Sequence, residues 1–392
     1  MRHAAFLLAL LLAAPVVALP VVAEDAVEKR SREDDAAVEA AARAAADKVS
    51  PAIVEVETIG AMPEKVEDPK EDPNGPGGSA EGVLVKKGFK QAFGPSTGVA
   101  VGPELVITST FAVKREPRHI FVTRSDGKSF VATILGKDEA RMLVLLKVPG
   151  ADLKPAKDCK RDDIKAGRFA LAMGKGYGVE KPTVAQGIVS AVSRAQGRAI
   201  QTCAHVSPAC YGGPLVSIDG EVMGVLVPLA GMGGQAGVEL YDCGIGFAIP
   251  MEDVRAILPR LEKGETLKPG FLGIQIDQGR TEDGVLVEVV QPESAAEKAG
   301  LKDGDLVIEI DGKTVKTQYD LLSGIGRHSA GDKITLTVDR KGVIAEYEGV
   351  LGEQPANVGH PNLKLPGMPQ PGPGPGPNPP GGPGGGDEGE KH

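Results

Sequence analysis

The sequence predicts a mainly β protein whose short antiparallel strands close into barrels, followed by a smaller α/β unit. Three observations carry this. Alternating or continuous apolar runs of five to eight residues recur at short intervals, separated by turn dipeptides such as Asp126-Gly127 and Asp219-Gly220. Glycine (53) and proline (31) are abundant while aromatics make up 4% with no Trp, a composition of turns and short strands rather than of long helices. From Lys268 to Gly352 strand patterns alternate with two short helical ones.

The elements follow in chain order. Residues 1–23 combine a short basic start, the apolar run "AAFLLALLLAAPVVA" and a small-residue site ending at Ala23. This pattern predicts a cleaved signal peptide and export to the periplasm or out of the cell, with no further membrane span. Residues 24–48 are rich in alanine and charge; Val38, Ala42, Ala45 and Val49 would form a weak apolar stripe on a helix. From 49 the pattern turns to alternation, opening a domain that extends to 264. Within it, residues 61–82, full of Pro, Gly and acid, have almost nothing to bury and predict a mobile loop.

After Gly94 come "GVAVGPELVITST", "HIFVTRSDGKSFVATIL", "RMLVLLKV", "RFALAMG", "TVAQGIVSAVSR", "PLVSIDGEVMGVLV" and "GIGFAIP", read as successive strands and hairpins. "MEDVRAILPRLEKG" reads as a closing helix with Val254, Ile257, Leu258 and Leu261 on one face. Pro259 is expected to bend or shorten it and Gly264 to end it. Residues 268–352 form the α/β unit, and 353–392 are a Pro/Gly tail expected to be disordered or polyproline-like.

The formal net charge of −9, without a Lys/Arg block, argues against nucleic acid or anionic membrane as the main partner. The cysteines Cys159, Cys203, Cys210 and Cys243 fit no common zinc spacing. In an exported chain they predict one or two disulfides, with three pairings open, or else buried thiols. Neither a metal nor an organic cofactor is implied.

The segments "ADKVSPAIVEV", "STGVAV", "VITST", "GIVSAVSR", "GGPLVSIDGEVMGV" and "GIGFAIP" together resemble the HtrA/Deg family of trypsin-like serine proteases, and the 268–352 unit resembles its PDZ domain. The resemblance implies two trypsin-like six-stranded β-barrels with a cleft between them, then the PDZ fold. It places the general base at Phe111, the carboxylate that orients it at Met142 and the nucleophile at Tyr211. The glycine expected two residues before the nucleophile is Ala209, where a Cβ is disfavoured if the oxyanion pocket requires φ > 0.

Neither Phe111 nor Met142 accepts a proton. A phenol of pKa about 10 does not suit the nucleophile's role. The chain therefore reads as a catalytically degenerate, non-cutting relative. The rival nucleophiles are Cys210, with His205 as its base, and Ser207; His119 is expected to point elsewhere, and Asp138 to be a solvated turn residue. Gly212, Gly213 and Pro214 are expected to serve the turn rather than catalysis.

In the PDZ-like unit, Leu272, Gly273, Ile274 and Ile276 would form the carboxylate loop and groove strand. Gln318 and Leu322 would line the helix opposite, with Leu321 and Ile325 in the core. The expected partners are peptides, protein C-termini or misfolded envelope proteins. The alternatives are an active but atypical serine or cysteine endopeptidase, and a scaffold that uses neither groove. The family's trimers use aromatics near the mature N-terminus, which this chain lacks; its trimer is therefore in doubt.

Overall fold

The computed structural model describes residues 22–60, 95–114, 116–176, 178–229, 244–277 and 283–353. The expected signal segment up to residue 21, the 61–82 loop, Cys243 and the tail beyond Glu353 lie outside the described residues.

Helix α1 (Val22–Val49) leads into the first barrel. Its apolar stripe is the one the spacing predicts: Ala45 and Val49 are buried, with Ala42 and Ala46 packed against the same cluster and Val38 half-buried. Its last turn rests on the second barrel, where Lys48 Nζ donates to Asp219 O at 2.8 Å.

The first barrel comprises β1 (Ile53–Ile59), β2 (Ser96–Gly102), β3 (Leu105–Ser109), β4 (His119–Thr123), β5 (Ser129–Asp138) and β6 (Leu143–Lys147), with the single-turn α2 (Thr110–Val113) after β3. The strand order is β5-β4-β1-β2-β3-β6, and a β5–β6 pairing closes it. The second barrel comprises β7 (Phe169–Gly174), β8 (Thr183–Ser193), β9 (Ala199–Thr202), β10 (Pro214–Ser217), β11 (Val222–Val227) and β12 (Gly246–Pro250). It closes in the order β10-β11-β12-β9-β8-β7. A short turn, α3 (Arg194–Gly197), joins β8 to β9.

The alternation of side chains along a strand explains the continuous apolar runs. In β6, Val144 and Leu146 fill the first barrel, while Leu143 and Leu145 face outward. There they meet Val225 and Ile249 of the second barrel and Val254 of helix α4 (Met251–Glu262). Both faces are buried, so no polar position interrupts the strand. Helix α4 continues through Pro259 to Glu262 and ends just before Gly264. The burial of Val254, Ile257 and Leu261 holds the last turn although proline supplies no N–H there.

Strand β13 (Thr266–Leu267) pairs with β5 on the outside of the first barrel and leads into the α/β unit. This unit contains β14 (Gly270–Phe271), β15 (Ile274–Ile276), β16 (Val285–Val290), α5 (Ala295–Ala299), β17 (Leu306–Ile310), β18 (Lys313–Thr314), α6 (Gln318–Gly326), β19 (Lys333–Arg340), β20 (Val343–Val350) and β21 (Gly352–Glu353). Its main sheet runs β15-β16-β17-β19-β20, which leaves β15 at an edge. The architecture is the one expected: mainly β, two six-stranded barrels and a PDZ fold.

Because Leu145 is fully buried where barrels and helix meet, Leu145→Ala should lower stability by about 2–5 kcal/mol. Urea unfolding followed by circular dichroism measures this.

Candidate functional site

The site lies where the two barrels meet. At the end of β3, Ser109 Oγ accepts from Phe111 N at 3.2 Å and so caps α2. Thr110 N donates to Met142 O at 2.9 Å, which draws the turn before β6 beside Phe111. The Phe111 and Tyr211 rings meet edge to face, with centroids 5.4 Å apart and an interplanar angle of 71°. Both rings are buried in the same apolar cluster. Such a pair contributes about 1 kcal/mol beyond its buried area. Met142 sits at φ 56°, a left-handed conformation uncommon for a residue with a Cβ. The three positions assigned to the triad are thus neighbours, and their side chains are two hydrocarbon-rich groups and a phenol.

A cleft of ≈ 410 Å³ opens beside them. Phe111, Val113, Met142 and Pro228 give it an apolar lining, and Lys114, Glu116, Lys137 and Glu139 add charge. Pro228 directly follows β11 and has no N–H to offer an extended chain laid along that strand.

The turn before β10 determines what can be stabilised here. Residues Pro208–Cys210 form a 3₁₀ turn, and Ala209 is not among the left-handed residues. Its Cβ is therefore accommodated without strain. Tyr211 N donates to Pro208 O at 3.2 Å, Gly212 N to Leu226 O at 2.8 Å and Gly213 N to Cys210 O at 2.8 Å. These donors are engaged within the protein, whereas an oxyanion hole needs N–H groups aimed at the reacting oxygen.

Gly212 has φ +85°, and a Cβ on it would lie 2.2 Å from Thr97 O. A Cβ on Gly213 would lie 2.2 Å from Met173 O. Close backbone approach accounts for both glycines without reference to catalysis.

Of the rival residues, Ser207 and Cys210 are in contact. Cys210 is buried; a Cβ on Gly174 would lie 2.7 Å from its Sγ, and Ser207 Oγ is 3.6 Å from the same sulfur. His205 is exposed on the preceding loop. His119 begins β4, paired with Ile59, and its ring faces Phe121. Cys159, Cys203 and Cys210 are free thiols, so no expected bridge joins any two of them, and Cys243 lies outside the described residues. The three occupy separate places: Cys203 is exposed and accepts from Ile188 N at 3.3 Å, whereas burial pushes the Cys159 thiol up.

Asp138 corrects the expectation of a solvated turn. It is fully buried and accepts from Arg141 twice, at Nη1 (2.8 Å) and at the backbone N (3.0 Å). Arg141, itself 5% exposed, also reaches the α/β unit: Nη1 donates to Ser329 Oγ at 3.3 Å and Nη2 to Arg327 O. These partners lie 186 and 188 residues away in sequence, so no local pattern signals them.

In the α/β unit the chain breaks between β14 and β15 at Leu272 and Gly273, the latter at φ +81°. The carbonyls of both are taken, by Ala296 N and Gln291 N, each at 2.9 Å. Among the described residues no backbone acceptor takes their N–H groups, the arrangement a carboxylate loop requires. Ile274, Ile276 and Ile325 pack on one core that contains buried Leu321. Gln318 and Leu322 are half-buried on α6, which a capping box of Thr317 and Asp320 starts.

Comparison with known proteins agrees with this fold. Residues 96–225 match the trypsin-like peptidase domain family and residues 270–348 the PDZ domain family. A probable periplasmic serine endoprotease DegP-like of Chlamydia pneumoniae is 30% identical over 354 residues, covering 82% of this chain and 71% of that protein. A protein of the same description from Marinomonas sp. is 29% identical, covering 76% of this chain and 68% of its own. The solved HtrA-type protease AlgW with decapeptide aligns at TM-score 0.56 and 23% identity, over 79% of this chain and 98% of that one.

Removing one partner of a buried ion pair leaves the other charge uncompensated. Asp138→Ala should therefore lower stability by about 3–5 kcal/mol by denaturant unfolding, more than Asp138→Asn, which retains an acceptor for Arg141.

Proposed function

The chain belongs to the HtrA/Deg family of trypsin-like proteases with a C-terminal PDZ domain, and we propose that within this family it binds peptides without cutting them. The observation that carries the reading is the filling of the triad positions by Phe111, Met142 and Tyr211, with the two rings packed against each other. Acyl transfer needs an activated oxygen or sulfur, a base to take its proton and a group to hold the base. Neither a phenyl ring nor a thioether does the work of the last two. The engaged N–H groups of Tyr211, Gly212 and Gly213 support the same conclusion.

Binding falls to the PDZ groove. An extended peptide adds to the free edge of β15, its carboxylate meets the N–H groups of Leu272 and Gly273, and its apolar side chains lie against Ile274, Ile276 and Leu322. The barrel cleft, apolar at Phe111, Met142 and Pro228, offers a second surface for unfolded chain. The ligands under this reading are hydrophobic C-termini or misfolded proteins of the cell envelope. The relatives' description as periplasmic supports that location. No helix among the described residues is long and apolar enough to cross a membrane.

Two measurements test the proposal. Incubation with unfolded casein should release no fragments from the native protein or from Tyr211→Ser, because restoring a hydroxyl restores no base. Cleavage by the native protein that a fluorophosphonate or a thiol reagent abolishes would revive the peptidase reading. Fluorescence anisotropy with C-terminal peptides ending in an apolar residue should show saturable binding. Leu322→Glu should weaken it about tenfold or more by placing a charge in an apolar groove.

A further inference from the structure

Strand β8 turns one whole face to solvent. Val184, Gln186, Ile188, Ser190 and Val192 alternate along it and all are exposed, whereas Val189 between them is fully buried in the second barrel. The solvent face of an antiparallel strand ordinarily carries polar and charged side chains. Here the three aliphatic residues are between 37% and 45% exposed. None of the five is charged, in a chain of which 25% is Asp, Glu, Lys and Arg.

The neighbouring strands delimit this row. Phe169 of β7 stands directly across the ladder from Ile188 and is 42% exposed, which widens the row at its middle. Leu171 and Met173, further along the same face of β7, are buried in the core between the barrels. The free apolar surface is therefore confined to β8 and the start of β7. The β8–β9 register shifts between Val189 and Ala191, and the alternating exposure runs through the shift. The bulge thus bends the strand without ending the row.

The order of residues carries the argument further. Read outward from Ile188, the two directions are alike. Two residues away on either side are the uncharged polar Gln186 and Ser190; four away are Val184 and Val192. In a two-fold contact, residue i of one copy meets residue j of the other and j meets i. Two such rows packed face to face and antiparallel place Ile188 on Ile188, Val184 on Val192 and Gln186 beside Ser190. The lack of charge matters at the axis, where a charged residue would face its own copy, like against like. Apolar residues exposed singly are ordinary; a charge-free row that is its own complement is not.

We infer that this face of β8 is a contact surface between two copies of this chain, related by a two-fold axis through Ile188. The row is about 26 Å long and about 10 Å wide, at roughly 3.3 Å per residue and 4.8 Å per strand. That is small against the ~800 Å² per partner of a stable interface, so dissociation in the micromolar range is expected. The inference stands apart from the reading of the cleft and of the groove.

Sedimentation velocity of the full chain, from about 1 to about 100 µM, should show a monomer–dimer equilibrium. Ile188→Asp sets two carboxylates on the axis and should raise the dissociation constant about tenfold or more, while circular dichroism remains native. Cross-linking reads the register. Val184→Cys and Val192→Cys chains, both with Cys203→Ser, should form more disulfide-linked dimer under diamide when mixed than either does alone. A native protein that is monomeric throughout overturns the inference and leaves the row to another partner or to none. So does an oligomer of any size that Ile188→Asp leaves unchanged, since its contact lies on another face. Equal cross-linking of mixed and separate variants denies the two-fold register and overturns it as well.

Discussion

The approach of the Tyr211–Gly213 turn to Thr97 is the contact on which the arrangement of the site depends. Thr97 is fully buried in β2, and its N–H donates to Tyr211 O at 3.2 Å. Its hydroxyl donates to Ala209 O at 2.6 Å and accepts from Lys175 N at 2.7 Å; its carbonyl accepts from Thr108 Oγ1 at 2.7 Å. One residue of the first barrel thereby holds two loops of the second. The turn passes so close that a side chain on either glycine would meet backbone at 2.2 Å. A threonine hydroxyl makes such bonds in a buried site at little desolvation cost because its proton and one lone pair are both engaged.

This constraint separates fold from chemistry. Close packing accounts for the Gly-Gly turn: Gly212 lies against Thr97 of the first barrel and Gly213 against Met173 of the second. Around it the site is built as a core. Phe111 and Tyr211 fill space that polar side chains would hold open in a hydrolase, and the N–H groups of the turn bond inward. The cleft beside it is apolar at Phe111, Val113, Met142 and Pro228 and charged at Lys114, Glu116, Lys137 and Glu139.

The placement of the PDZ unit follows from a second buried contact. Asp138 and Arg141 are three residues apart in the turn that leads to Met142, and Arg141 holds the C-terminal end of α6. Helix α6 carries Leu321 in the core, Gln318 and Leu322 half-buried, and Tyr319 and Arg327 on the barrels. The end of α6 is thus anchored to the turn that leads to Met142. Ser193, Ala195 and Gln196, all with left-handed φ, form the opposing surface. Residues in that region carry roughly 1–3 kcal/mol of strain each and persist only where surrounding contacts over-determine them.

Much of this was legible in the sequence. The period-two runs, the Asp-Gly and Gly-Gly turns and the stripe of Ala45 and Val49 express preferences within a few residues, and they predicted the strands, hairpins and helices. The assignment of 111, 142 and 211 to the triad positions came from the resemblance of the flanking segments to the HtrA/Deg family. Pro259 lies inside the helix, where the burial of Val254, Ile257 and Leu261, a tertiary term, holds the turn that contains it. Asp138 misled the sequence reading. A carboxylate in a turn is ordinarily solvated; this one is buried because Arg141 carries its charge to Ser329 and Arg327, nearly half the chain away. The sequence by itself determined which groups stand at the cleft, since side-chain chemistry is a property of the residue. Only the tertiary structure decided which polar groups are buried together, because desolvation and pairing depend on neighbours that the order of residues does not bring near.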